Sequence, residues 1–196
     1  MAADAGAQII RSGGMRFREP SAWFSLGVAS LQGFTVTDGT THSVWQFSNA
    51  TQYTASLEKA LSGDASLGIQ GTTARVPLSY SGIEADANVS QIFATLHVAS
   101  GRELHSVLEL SAGTTLYSNF RARATGAGLP PSSPDADFTF AFGYGLGYAF
   151  SPTFSIDVVQ DLTTALHQRT GLSAGDNSSI RMNGTRLVAR FGLGGR

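Results

Sequence analysis

The sequence predicts an all-β fold, an eight-stranded antiparallel up-and-down transmembrane β-barrel with short periplasmic turns and long extracellular loops. Three observations predict it. Apolar residues recur at every second position through most of the chain, and helical spacing is rare. In DFTFAFGYGLGYAF, residues 137–150, one parity is all bulk (Phe138, Phe140, Phe142, Tyr144, Leu146, Tyr148, Phe150), and the other is nearly bare (Thr139, Ala141, Gly143, Gly145, Gly147, Ala149). Tight turns alternate with long connections along the chain.

Eight strands follow in order. The first is 22–33, with Phe24, Leu26 and Val28 on one face. The second, 51–61, carries Tyr53, Ala55, Leu57 and Leu61. The third, 65–80, changes parity: Leu67 and Ile69 share one face, Val76, Leu78 and Tyr80 the other, and a bulge near Gly71 would repair it. The fourth, 90–99, carries Ile92, Ala94, Leu96 and Val98, and the fifth, 103–117, carries Leu104, Leu108, Leu110 and Leu116. The sixth is the stretch above. The seventh, 154–167, carries Phe154, Ile156, Val158, Leu162 and Leu166, and the eighth, 183–194, carries Leu187, Ala189, Phe191 and Leu193. SGD, SGR and SPT join strands two to three, four to five and six to seven. Such Ser, Gly, Pro and Asp triplets make tight turns. The remaining connections, 34–50, 81–89, 118–136 and 168–182, read as long loops at the opposite end. Residues 22–196 form the barrel, and residues 1–21 an N-terminal segment, periplasmic or loosely paired.

Composition bounds the function. The 196 residues hold 13 Lys+Arg against 14 Asp+Glu, a formal net charge of -1, so no basic excess points to nucleic acid. The charged fraction is 14%, against about 25% in soluble domains, so the chain presents little surface to water. There is no Cys, hence no disulfide and no thiolate metal site. No run of about 18 apolar residues exists that would make a transmembrane helix.

Which face points outward decides the environment. A soluble barrel needs a polar outer face, yet the face opposite the bulk is Gly, Ala, Ser and Thr. In a membrane barrel the bulky face meets lipid, and small residues line a lumen only just wide enough for side chains. Phe138, Phe140, Phe142, Tyr144, Leu146, Tyr148 and Phe150 are then lipid-facing. Glu58, Glu103, Glu109, Asp157, Asp161, Arg186, Arg190 and His97 fall on the inward parity. Of the outward charges in these strands Lys59 stands near a short-turn end, where it can snorkel. Pairing Phe154 with Leu193 sets Asp157 opposite Arg190 and Asp161 opposite Arg186. Two stacked interior ion pairs are expected, with Glu58 and Glu109 in the same structural set and Gly143 and Gly147 leaving room beside them.

With these features, FGYGLGYAFSPTFSIDV and TRLVARFGLG included, the chain from 22 to 194 resembles small bacterial outer-membrane barrels of the OmpA transmembrane-domain and OmpX type. The resemblance implies location in the bacterial outer membrane, an export signal removed from this chain (MAADAGAQIIRSGG lacks an apolar core), periplasmic termini, exposed loops and insertion by the barrel-assembly machinery. It also implies contact with outer-membrane lipid and lipopolysaccharide. Family members usually end on an aromatic residue, whereas Phe191 here is followed by GLGGR.

No catalytic, cofactor or metal residue is assigned. The interior Asp, Glu and Arg set is read as a plug that fixes register, in preference to a proton or ion path. His167, with Thr170, Ser173 and Asp176, suggests an alternative resembling lipid A deacylases. Those place Ser two residues after the His, where this chain has Arg169. His42, His97 and His105 lack ligand spacing. Trp23, Tyr53, Tyr80 and Tyr117 are expected in interfacial girdles, and Arg121, Arg123 and Arg169 could meet lipopolysaccharide phosphates. A third alternative is a soluble lipocalin-like carrier of an apolar ligand, with Phe140, Phe142 and Tyr144 buried around a cavity. The leading expectation is a non-catalytic barrel with a structural or adhesive role through its loops, self-association into a homo-oligomer or filament included.

Overall fold

A computed structural model describes residues 20–37, 44–130, 135–167 and 179–194, all strand, turn or coil. His42, Arg169, Thr170, Ser173, Asp176 and nearly all of the N-terminal segment lie outside the described residues. Ten strands form one sheet: β1 (Ala22–Leu31), β2 (Phe34–Thr37), β3 (Val44–Phe47), β4 (Ala50–Ala60), β5 (Ala65–Tyr80), β6 (Ile83–Gly101), β7 (Leu104–Ala122), β8 (Asp135–Ser151), β9 (Phe154–Leu166) and β10 (Ile180–Leu193). The order β2-β3-β5-β4-β1-β10-β9-β8-β7-β6 closes through β5–β6 pairing. β1 and β4 to β10 are the eight barrel staves, all antiparallel, and correspond to the eight strands expected.

Two expected loops are something else. Residues 34–50 hold the hairpin β2–β3, which pairs with the top of β5, Trp45 opposite Tyr80. Residues 81–89 are a tight turn at Ser81 and Gly82, both at positive φ, on top of a lengthened β5–β6 hairpin. The barrel therefore continues beyond the belt of exposed apolar residues.

This continuation corrects the bulge expected at Gly71. β5 pairs without interruption on both sides, from Gln52↔Ala74 to Ala60↔Ser66 and from Ala65↔Val98 to Tyr80↔Ile83. The strand keeps its phase while its surroundings change. In its lower part Leu67 and Ile69 point outward and are exposed. In its upper part Val76 and Leu78 point inward and are buried, while Arg75 points out. β6 repeats the change: Ile92 is outward and exposed, Ala85, Ala87 and Val89 inward and buried. A real irregularity lies in β7, where register shifts between Asp86 and Asn88 and Asn119 adopts φ 60, a left-handed conformation Asn tolerates. Beyond it Phe120 and Ala122 turn inward.

The interior thus has two storeys. The extracellular storey is an apolar core of Phe34, Val36, Trp45, Phe47, Val76, Leu78, Tyr117, Phe120, Ile180 and Met182, among others. Trp45 packs at a tilt against Phe120, centroids 4.7 Å apart, and Phe34 stacks on Phe47 at 4.5 Å. The lower storey is polar inside and apolar outside. The girdle expectation fails at three residues: Tyr117 is wholly buried in the upper core, Tyr80 is partly buried against that core, and Trp23 faces the lower lumen beneath the Arg190 guanidinium, 4.9 Å from the ring centroid. Tyr53 does face outward.

Candidate functional site: the interior ion network

The chemistry-bearing side chains converge in the lower lumen, and β8 explains how. Glu109 on β7 and Asp161 on β9 flank Gly143, and His105 and Asp157 flank Gly147 in the same way. A Cβ on Gly147 would stand 2.1 Å from Asp157 Oδ1 and 2.2 Å from His105 Nε2, and one on Gly143 3.1 Å from Asp161 Oδ1. The bare face of the strand is therefore a gap through which its neighbours bond. His105 Nε2 lies 3.0 Å from Asp157 Oδ1, across a whole intervening strand.

The two expected ion pairs need correction. Phe154 pairs with Phe191, not Leu193, so Asp157 stands opposite Val188 and Asp161 opposite Gly184. The slip is two residues, which preserves the faces, since side-chain direction alternates with period two. Asp161 still reaches Arg186, diagonally, at 3.0 Å to both Nε and Nη2. Asp157 has no ion pair with Arg190 and takes His105 instead. Arg190 reaches over β1 to Glu58 on β4, Nη2 donating to Oε2 at 2.6 Å, and Arg186 crosses to Glu109 on β7. A lumen this narrow lets a guanidinium choose partners on any stave, so adjacency within β9–β10 did not decide the pairing. Glu103, expected inside, lies exposed in the short turn before β7.

The result is one connected column. Ser56 and Ser66 hydroxyls donate to the Glu58 carboxylate at 2.7 and 2.5 Å. Arg190 Nη1 donates to His97 Nε2 at 2.7 Å, and His97 Nδ1 lies 3.0 Å from Glu109 Oε1. A guanidinium can only donate, so Nε2 of His97 accepts and its Nδ1–H donates to Glu109. His105 is the reverse case. Its nitrogens face two acceptors, Nε2 the Asp157 carboxylate at 3.0 Å and Nδ1 the Glu103 carbonyl at 3.3 Å. His97, which sequence spacing left as a scattered polar residue, is thus integral to the network, and His105, left in the same way, forms a separate buried pair with Asp157 beside it. Above it, Arg186 Nη1 donates to Gln70, and Gln52, Thr72, Gln91, Thr115 and Thr139 carry hydrogen bonds up to the apolar storey.

Little space remains. A mid-lumen cavity of about 30 Å³ between Gln91, Glu109, Asp161 and Arg186 has room for roughly one water. A wider one of about 140 Å³ opens at the short-turn end beside Trp23, His105 and Arg190. No group of three or more His, Cys, Asp or Glu suited to a metal occurs among the described residues.

His167, expected at the rim, is fully buried in the upper storey, its Nδ1 2.8 Å from Asp137 Oδ2 and its ring edge-on to Trp45 and Tyr117. On the outer surface, Arg123 is held by Asp86 at 2.8 Å, Arg75 by Asp86 at 3.1 Å, and Arg121 donates to the Gly126 carbonyl. The Arg123 hydrogen bond, ahead of that of Arg75, holds the Asp86 carboxyl below its usual range. The seven large β8 residues, Phe138 to Phe150, are all outward. Phe140, Phe142 and Tyr144 are 46%, 38% and 48% exposed, the reverse of what an apolar carrier requires of them.

No family model matches the chain, and no curated protein matches it. Solved structures do. The chain is similar to Neisserial surface protein A (NspA), with TM-score 0.61, 12% identity, and 88% of this chain and 97% of that one covered. It is similar to the outer-membrane protein OprG from Pseudomonas aeruginosa, with TM-score 0.52, 12% identity and 89% and 95% covered. It is also similar to the outer-membrane protein AlkL, solved in lipid bilayers, with TM-score 0.50, 12% identity and 100% and 99% covered. The shared feature is the fold: the closed eight-stranded antiparallel barrel of small outer-membrane proteins. That fold and the exposed apolar belt fit a bacterial outer membrane.

Proposed function

We propose that this chain is a non-catalytic outer-membrane barrel whose role is structural or adhesive, exercised by its extracellular end. One observation carries the reading: the lumen is filled at both levels, by hydrogen-bonded ions below and by an apolar core above. An eight-stranded barrel has an interior just wide enough for such filling. Glu58, Glu109, Asp161, Arg186 and Arg190, with Asp157 on His105, act as the internal frame. The β8 row from Phe138 to Phe150 faces lipid, where aromatic bulk carries no penalty. The partners of this reading are outer-membrane lipid, lipopolysaccharide, the assembly machinery during insertion, and further copies of the chain. Planar-bilayer recording tests it: the refolded protein should leave the membrane non-conducting, and steady ion conductance would overturn it. Surface display on non-adherent cells supplies the positive arm, with attachment to coated surfaces expected to rise.

A second reading has one observation in its favour. His167 is oriented by a buried carboxylate, Asp137, as a general base is. A lipid-modifying hydrolase of this kind would release fatty acid from lipid A, and His167→Asn would abolish the release. Mass spectrometry of lipid A incubated with the refolded protein decides it.

A further inference from the structure

The outward belt is not uniform. Across β6 and β7 it drops to two alanines, Ala94 and Ala112, which stand side by side. Leu96 and Leu110 face each other one row below, and Phe140 and Phe142 stand on the next strand. The small pair is the floor and the large residues are the walls of an open groove of about 530 Å³ on the outer face. The alanine row is one line of cross-strand partners: Ala94↔Ala112, Ala112↔Phe140, Phe140↔Thr164, Thr164↔Arg181. It begins near the middle of β6 and β7 and arrives at the extracellular end of β10, because tilted strands make a lateral row climb. Thr164 lines the groove. Arg181, its neighbour, is outward and exposed, and makes no hydrogen bond or ion pair among the described residues. The other outward arginines at that end, Arg75, Arg121 and Arg123, are each bonded.

We propose that this groove is a lipid site: an acyl chain of lipid A lies over Ala94 and Ala112, with a phosphate of the same molecule on Arg181. From Ala112 to Arg181 the row takes three interstrand steps of about 4.8 Å, roughly 14 Å around the wall, and with strands tilted about 35–45° it climbs about 8–10 Å toward the extracellular end. The cation stands at the extracellular end, so the leaflet is the outer one, which in the membrane proposed above is built of lipid A. The inference rests on that outer-membrane reading.

The test uses the full chain refolded in detergent micelles, with native mass spectrometry after addition of lipid A, phosphatidylglycerol or phosphatidylcholine. Wild type should retain one lipid A. Arg181→Gln should weaken retention about five-fold, the worth of an exposed ion pair. Ala112→Trp, which fills the floor, should weaken it at least as much, while Arg75→Gln, at the same rim but off the row, should leave it unchanged. Equal retention by Arg181→Gln and Ala112→Trp overturns the site. Equal retention of phosphatidylcholine, whose phosphate is neutralised by its own choline, overturns the selection of an anionic headgroup by Arg181, and equal retention of phosphatidylglycerol overturns the assignment to lipid A. A gel shift on boiling shows that each variant is a folded barrel; its absence in wild type would defeat the outer-membrane reading itself and not the site.

Discussion

The lower and upper storeys of the barrel obey opposite rules on the same strands. On β5, Leu67 and Ile69 are exposed and Gln70 and Thr72 buried; eight residues on, Val76 and Leu78 are buried and Arg75 is outward. Pleat and register are unbroken between them. What differs is the solvent. Below, an apolar exterior allows a polar interior, provided every charge is paired. Above, water outside restores the ordinary arrangement, with apolar residues in. The boundary of the membrane can thus be read as the place where hydrophobic residues change faces without a change in the strand.

Removing Arg186 should have the largest effect. Arg186→Met leaves buried Glu109 and half-buried Asp161 without their cation, and stripping one partner from a buried pair costs about 3–5 kcal/mol. With two carboxylates stranded, the loss should reach the upper end, measured by urea unfolding in micelles. Trp45→Ala attacks the other storey. It should cost about 3–5 kcal/mol as a cavity in an apolar core. The damage should stay local: hydrogen exchange should rise at the extracellular end while the boiling-dependent gel shift survives. The two rules can then be tested on one face of one strand. Ile69→Lys places a charge in the belt and should destabilise by about 2–4 kcal/mol, whereas Ser79→Lys, equally outward but above it, should cost about 0–1 kcal/mol. Equal costs would erase the boundary. The smallest effect concerns Asp86, above the belt. Its folded carboxyl titrates below the unfolded value, so its contribution is present above the unfolded pKa and fades as pH falls through the folded one. Arg123→Gln should move the Asp86 titration upward in a carboxyl NMR experiment.

The staves and their facing were legible in the sequence because period two and the segregation of charge are local properties. Glu58, Glu109, Asp157, Asp161, Arg186 and Arg190 could each be placed on the inward parity from spacing alone. Their partners could not. A two-residue slip leaves every face intact, so the alternation at Phe154 and Leu193 holds no information about which inward residues meet. His97 and His105 were missed because their partners come from other staves, β10, β7 and β9. The signal available was arithmetic: five carboxylates on the inward parity against two arginines ask for more donors, and His97 and His105 share that parity. The upper storey was obscured because its parity conflicts with the belt, and a bulge was the local repair for what is a change of surroundings.

β8 has one more consequence. Its outward side chains repeat at every second position, so the strand slides by two with little change in what lipid sees. Its inward glycines make no side-chain bond, so along this stretch register is held by exclusion, since a Cβ at Gly147 would strike Asp157 and His105, and by Asp137 and Thr139 at the extracellular end. The bonds that pass over Gly143 and Gly147 join β7 to β9 and belong to neither face of β8. The strand is therefore a guest in a frame its neighbours set. During insertion it should settle last, and in pulse-labelled hydrogen exchange its amides should gain protection after those of β7 and β9.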